Sequence, residues 1–385
     1  MLDELERPLQ SLRERGLMRQ RRMLESPQGP RVSVDGAVYL SFCSNDYLGL
    51  ATAPELVEAV VRGARSHGVG AGASHLLSGH SHAHHELELE LASFVGLPRA
   101  LLFSTGYMAN MGVVSALVDR SDTVFADKLN HASLNDAALL SRARLRRYAH
   151  GDLAMLEQML GQSGAGRKLV ISDAVFSMDG DIAPVPELLA ICERHDAWLL
   201  LDDAHGFGVL GDNGRGVLEY FGLAVPRIIY MATLGKAAGV FGAFVAGEDR
   251  LVETLIQNAR TYVYTTATPP LLAVALSASL KLIDAAQQRR AALKRLIGIF
   301  RARANFRRWK LLPSETAIQP LVIGPNNEAM AVSEGLAKQG ILVPAIRPPT
   351  VPEGKARLRI SLSAAHLEAD IVQLVEVLLE IENKA

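Results

Sequence analysis

The sequence predicts an α/β protein with a mainly parallel central sheet and a smaller C-terminal α+β domain. Three observations lead there. Short, continuously apolar strands alternate with helical stretches through the middle of the chain, as expected when both faces of a parallel sheet are covered. A long helical region follows at about 270–304, and beyond it strands and helices alternate again on a smaller scale. With 385 residues, the chain can supply two or three domains, each burying its own core.

Residues 1–25 read as an amphipathic, arginine-rich helix with Leu5, Leu9, Leu12 and Leu17 on one stripe, ended by Ser26-Pro27-Gln28-Gly29-Pro30. Val32–Val34 and Ala37–Leu40 flank Asp35-Gly36, a strong hairpin signal. Strands are predicted at Ala100–Ser104, Thr123–Ala126, Leu169–Asp173, Trp198–Asp202, Ile228–Ala232 and Ala243–Ala246. Helices fall between them near 107–118, 131–142, 153–163 and 186–196. The region 270–304 reads as one connecting helix. Strands near 318–323, 341–346 and 357–362, with helices near 327–339 and 367–381, complete the chain. The expected organisation is an N-terminal helix and hairpin over 1–45, a large domain over 46–280 and a small domain over 281–385.

Composition narrows the function classes. The chain is 49% hydrophobic and 21% charged with a formal net charge of −1, so no electrostatic argument favours nucleic acid or a membrane surface. Cys43 and Cys192 make neither a disulfide framework nor a metal-binding pair. The start of the chain is charged rather than apolar, and no apolar run reaches the roughly 18 to 20 residues of a membrane span. The expected setting is the cytoplasm.

The chemistry centres on Lys236, in Thr233-Leu234-Gly235-Lys236-Ala237. The chain holds nine lysines against 31 arginines, and this one lies among small residues. Asp202-Asp203-Ala204-His205 ends an upstream apolar strand. An amine able to form an imine, an acid able to keep a ring nitrogen protonated and a nearby imidazole are the protein's expected contributions to pyridoxal 5'-phosphate (PLP) chemistry. The strand-end position and the spacing to His205 favour Asp202 over Asp203 as the ring partner. In parallel folds ligands sit beyond the carboxyl ends of strands, and both Asp202 and Thr233 fall at that edge. Ser104-Thr105-Gly106-Tyr107 opens a helix after a strand, where backbone N–H groups suit a phosphate. His131 and Ser177 follow other strands at the same edge. Arg357 and Arg359 share one face of a strand, and either suits a carboxylate.

Two motifs point elsewhere. Gly68-Val69-Gly70-Ala71-Gly72-Ala73 matches a dinucleotide-binding pattern but follows a helical stretch at Glu55–His67, where that motif requires a strand. His80, His82, His84 and His85 form a dense cluster with no acidic or cysteine ligand spaced to complete a familiar metal site, so no metal is expected.

Ser44-Asn45-Asp46-Tyr47-Leu48-Gly49, Phe176-Ser177-Met178-Asp179-Gly180-Asp181, Asp202-Asp203-Ala204-His205-Gly206 and Thr233-Leu234-Gly235-Lys236 occur in the order found in the α-oxoamine synthases. Across essentially the whole chain the sequence resembles that family, and Ala345–Pro352 resembles its biotin-pathway branch. The resemblance implies the PLP-dependent transferase fold type I, as in aspartate aminotransferase. It also implies a decarboxylative condensation of L-alanine with a pimeloyl thioester, delivered by CoA or a carrier protein. Glycine C-acetyltransferases and other members share most of these motifs. A non-catalytic regulatory protein of the same fold would tend to lose Lys236.

Carried over by motif, Lys236 would be the Schiff-base lysine. Asp202 would pair with the pyridine nitrogen and His205 with the phenolic oxygen. His131 would stack on the ring, and Ser177 would hydrogen-bond it. Gly106, Tyr107 and Thr233 would hold the phosphate, with Thr265 or Thr266 approaching from the second subunit of a homodimer that shares its active sites. Arg359 would bind the amino-acid carboxylate. Arg19, Asn45, Arg347 and Thr350 would line the substrate side.

Overall fold

The computed structural model describes residues 2–223 and 225–384. The chain forms two compact units. The larger comprises Leu48–Ser177 and Ile182–Arg290; the smaller gathers the segment up to Tyr47, Met178–Asp181 and the segment from Ala291.

The larger unit is built on a seven-stranded sheet. In spatial order its strands are Arg99–Phe103, Ala243–Gly247, Ile228–Thr233, Trp198–Asp202, Lys168–Asp173, Thr123–Asp127 and Arg144–Tyr148. Ala243–Gly247 runs antiparallel to both neighbours, and the other pairings are parallel. The central strands are buried along their length, which is why they read as unbroken apolar runs. Arg144–Tyr148 is absent from the sequence prediction because it is an edge strand, Arg-Leu-Arg-Arg-Tyr, with Arg144 and Arg147 exposed to solvent. Leu101, Val113, Val124, Leu134, Ile171, Leu200 and Val245 belong to the core between this sheet and its helices.

The region expected to be one helix over 270–304 is two, Pro270–Asp284 and Gln287–Arg303. The buried Arg290 explains the break. It donates to the Ile283 carbonyl at 2.6 Å, satisfying a group at the end of the first helix, and to the Asp212 carbonyl at 2.7 Å. Pro54–His67 packs along Pro270–Asp284, and Gly63 sets how closely. A Cβ there would lie 2.8 Å from the Leu271 Cα.

In the smaller unit, Arg31–Val34 and Ala37–Ser41 form the predicted hairpin, with positive φ at both Asp35 (49°) and Gly36 (77°). The first helix spans Leu2–Glu14 and does not reach residue 25. Gly16 stops it: with φ of 63° it donates to Arg13 while Leu17 donates back to Leu12, a Schellman ending. A four-stranded sheet has the order Lys310–Leu311, Ile318–Gly324, Ala356–Ser361, Ala345–Ile346. The strand expected over 341–346 is split at Val343-Pro344: Ile341–Leu342 pairs with Ala37–Ser41, and Ala345–Ile346 pairs with Ala356–Ser361. Among the described residues, no single helix is long and apolar enough to cross a membrane.

Gly63→Ala forces backbone apart where side chains cannot yield. It should destabilise the protein by about 1–3 kcal/mol in urea denaturation, with an unchanged midpoint counting against this packing account.

Candidate active site

A cavity of about 200 Å³ opens at the carboxyl edge of the seven-stranded sheet, entirely within the larger unit. Parallel pairing sets Asp202 in register with Asp173 on one side and Met231 on the other, and all three line the cavity. Gly106 and Tyr107 reach it from the first turn of the helix Gly106–Leu117, whose N-cap Thr105 accepts from the Met108 N–H. His131 caps the helix Ala132–Ser141, and Ser177, His205, Thr233 and Lys236 complete the wall. Lys236 sits in a tight loop closed by Gly239 N–H to the Lys236 carbonyl at 2.9 Å. Gly239 has a φ of 69°, and a Cβ on it would strike Leu50 backbone at 2.7 Å, so the loop tolerates no side chain there.

The Lys236 Nζ lies 2.8 Å from the His205 Nε2. Asp202 is buried and anchored on both oxygens: Oδ1 accepts from the Ala204 N–H at 3.0 Å, and Oδ2 from the Asn110 amide at 2.8 Å. The same Asn110 nitrogen donates to Ser133 Oγ at 2.8 Å, and that hydroxyl meets His131 Nδ1 at 2.8 Å. One buried amide therefore ties the acid of the site to its imidazole. His131 Nδ1 also accepts from the Ser133 N–H, which leaves Nε2 to carry the ring proton. Burial, reinforced by the Lys236 charge and opposed by Asp202, lowers the His131 pKa below the usual imidazole value.

The two adjacent aspartates separate cleanly. Asp202 lines the cavity, whereas Asp203 turns to the other side and accepts from Val217 N–H at 2.7 Å and Tyr230 OH at 2.8 Å. Burial raises the Asp203 carboxyl to about 7. Asp173 is raised well above the carboxylate range by burial and then by the Asp202 charge, while its Oδ2 accepts the His131 backbone N–H at 3.0 Å. Asp173, Asn110 and Ser133 escaped the motif reading. Asp173 had a signal, since it ends an apolar strand as Asp202 does; Asn110 and Ser133 lie inside ordinary helical sequence.

The remaining predicted residues lie elsewhere. Thr265 and Thr266 are outside the cavity of their own chain, and Thr266 bridges to Ser74. In the smaller unit, Arg357 and Arg359 are both buried but differently matched. Arg357 forms an ion pair with Asp179 at 2.8 Å. Arg359 donates to Asn45 Oδ1 at 3.1 Å and Ser361 Oγ at 2.9 Å, and Asn45 in turn accepts from Tyr47 OH. Arg347 donates to the Gly16 carbonyl; Arg19 and Thr350 are exposed. The glycine-rich stretch at Gly68 follows the helix Pro54–His67 and so lacks the strand that dinucleotide binding requires.

The model of the aminotransferase class I and II family matches residues 37–378. The 8-amino-7-oxononanoate synthase of Nitrosospira multiformis is 66% identical over 375 residues, covering 97% of this chain and 95% of that one. The chain belongs to the aminotransferase class I and II family, among the 8-amino-7-oxononanoate synthases. Two solved structures share the architecture. One is a lysine-to-alanine variant of serine palmitoyltransferase from S. paucimobilis with a bound PLP–myriocin aldimine, with TM-score 0.92, 29% identity and coverage of 99% of this chain and 97% of that one. The other is 8-amino-7-oxononanoate synthase from Francisella tularensis, with TM-score 0.78, 33% identity and coverage of 89% and 97%. The fold is therefore PLP-dependent transferase fold type I, and this family member is a PLP-dependent acyltransferase.

The cavity fits that cofactor. A helix N-terminus suits a phosphate, and a buried, doubly anchored carboxylate suits a protonated ring nitrogen. A Cβ on Gly106 would occupy the cradle within 3.6 Å of Met231 and 3.9 Å of Thr233, space that glycine leaves to a ligand.

The buried Asp203 makes stability depend on pH. Its folded value near 7 lies above the ordinary 3.8, so the folded state binds the extra proton and the stability contributed by this group falls as pH rises between those values. Asp203→Asn should remove its one-proton share of the pH slope in denaturation curves taken across this window, while Asp173 and Glu88, raised by burial, keep theirs and the buried histidines, lowered by burial, act in the opposite sense. An unchanged slope would show that Asp203 does not carry it.

Proposed function

We propose that this protein condenses L-alanine with a pimeloyl thioester to give 8-amino-7-oxononanoate, CO2 and the free thiol, a step of biotin synthesis. The observation that carries the substrate assignment is the 66% identity to a named 8-amino-7-oxononanoate synthase across 97% of the chain. PLP, when bound, supplies an aldehyde that condenses with amines and a protonated ring that accepts an electron pair from the amino-acid α-carbon. The rest of the chemistry belongs to the chain.

Asp202 keeps the proton on the ring nitrogen, and Asn110 and the Ala204 N–H hold its carboxylate in position. Lys236 Nζ, 2.8 Å from His205 Nε2, would anchor the cofactor and, as a free amine, would take the α-proton of alanine. It later returns a proton to the same carbon after CO2 is lost. His131, neutral with its proton on Nε2, donates to the ketone oxygen that decarboxylation requires to be polarised. Ser177 hydrogen-bonds the ring, and Gly106, Tyr107 and Thr233 hold the phosphate. In a homodimer Thr265 or Thr266 serves the phosphate of a second copy; their place outside their own cavity accords with this. Arg359 binds the alanine carboxylate, with Arg357 already committed to Asp179. Asn45 orients Arg359 from the substrate side, and Arg19, Arg347 and Thr350 contact the acyl substrate.

The test is thiol release from pimeloyl-CoA and a pimeloyl carrier protein, each with L-alanine and with glycine, alongside acetyl-CoA. Pimeloyl thioester with alanine should give the highest kcat/KM; preference for glycine with acetyl-CoA would overturn the substrate assignment. Lys236→Ala should lower kcat by at least about a hundredfold, the contribution of a positioned acid–base group. Arg359→Lys, losing bidentate geometry, should raise KM for alanine roughly tenfold while thioester KM stays within about twofold.

A further inference from the structure

The histidine cluster takes a different shape in the fold from the one its spacing suggests. His75 joins it, and the residue that brings it in is Gly79. His75–Gly79 makes a single π turn, closed by Gly79 N–H to the Ser74 carbonyl at 2.9 Å. A Cβ on Gly79 would lie 2.1 Å from the Ala73 carbonyl oxygen, so only glycine lets this turn close. The turn folds His80 back onto His75, with Nδ1 of each 3.0 Å from the other. His84, on the next helix, adds a third ring: one nitrogen from each of His75, His80 and His84 lies within 4.8 Å of the others.

We propose that His75, His80 and His84 bind one divalent cation of the zinc class. Without an ion one of these Nδ1 atoms donates to the other; with both protons moved to Nε2, the pair stands close to the separation, about 3.3–3.4 Å, that neighbouring ligands adopt around a tetrahedral ion with Zn–N bonds near 2.0–2.1 Å. One of the rings, His84, is held from behind as metal ligands are. His84 Nε2 stands 2.8 Å from the Thr268 carbonyl, which can only accept, so Nε2 carries the proton and Nδ1 is the lone-pair nitrogen. A ligating histidine whose other N–H donates to a backbone carbonyl is the usual second layer of a metal site. His75 is stacked on Tyr262 with centroids 5.0 Å apart and planes 12° from parallel. His84 Nδ1 meets the Ser81 N–H and hydroxyl at 3.1 and 3.0 Å, and an entering ion takes their place.

His75 and His80 line a separate cavity of about 230 Å³, together with His85 and Glu88, which gives water access to an ion held by these two rings. Imidazole donors select Zn2+, Ni2+ or Cu2+ over Mg2+ and Ca2+. Bound there, the ion pins the strap that pairs Ser74 with Thr266 and takes the Ala267 N–H on the Ala73 carbonyl. Its role is to stiffen the segment carrying Thr265 and Thr266, apart from the catalytic cavity.

The test uses PLP-loaded protein stripped with chelator, dialysed against Zn2+ or Co2+ and desalted. One Zn2+ per chain, intense visible d–d bands of tetrahedral Co2+ and a Zn2+-dependent rise in melting temperature are expected. His80→Asn and His75→Asn should each lose the equivalent and the thermal shift. His82→Asn, whose exposed ring lies outside the trio and near Glu86, should keep both. Should His75→Asn fail to fold, His80→Asn decides alone. Less than half an equivalent bound to the wild type, or equal metal content in the wild type and His80→Asn, would overturn the site.

Discussion

The parallel pairing of Lys168–Asp173, Trp198–Asp202 and Ile228–Thr233 is the constraint on which the rest depends. Their register puts Asp173 beside Asp202 and delivers the Thr233–Lys236 loop to the same edge. Two buried carboxylates side by side cannot both be charged cheaply. The fold resolves this by surrounding Asp202 with donors from Asn110 and Ala204 while burial keeps the proton on Asp173. One negative charge at one defined place is what a cationic ring needs.

Around that charge the site is pre-organised through backbone and neutral side chains. Asn110 links Asp202 to Ser133, and Ser133 sets the tautomer of His131, so protonation and orientation are decided together before any ligand arrives. Asp203 serves a different purpose. Turned to the other side, it ties the loop after Asp202 to Tyr230 and Val217, at the cost of a buried carboxyl that prefers to be protonated. The smaller unit also separates the roles of two like residues, here two positions apart, with Arg357 paired to Asp179 and Arg359 held by Asn45 and Ser361.

Much of this was legible in the chain. Buried strands advertise themselves as apolar runs, and the Asp35-Gly36 hairpin is encoded by residues that tolerate positive φ. What escaped has physical causes. Arg144–Tyr148 is an edge strand and so carries charge; Pro344 divides one apolar run between two sheets; Arg290 ends a helix whose sequence continues to look helical. Asn110 sits on a helix where nothing local distinguishes it from a surface polar residue, because its partners Asp202 and Ser133 lie 92 and 23 residues away.

The sequence by itself determined the strand–helix alternation, the strand-end aspartate, the lysine loop and the family, because each is carried by local composition or contiguous motif. Only the tertiary structure decided which of Asp202 and Asp203 faces the cavity, how His131 is tied to Asp202, which arginine pairs with Asp179 and that His75 joins His80 and His84. Those outcomes depend on contacts between segments distant in sequence or on the path of a single turn, and neither is written in residue spacing.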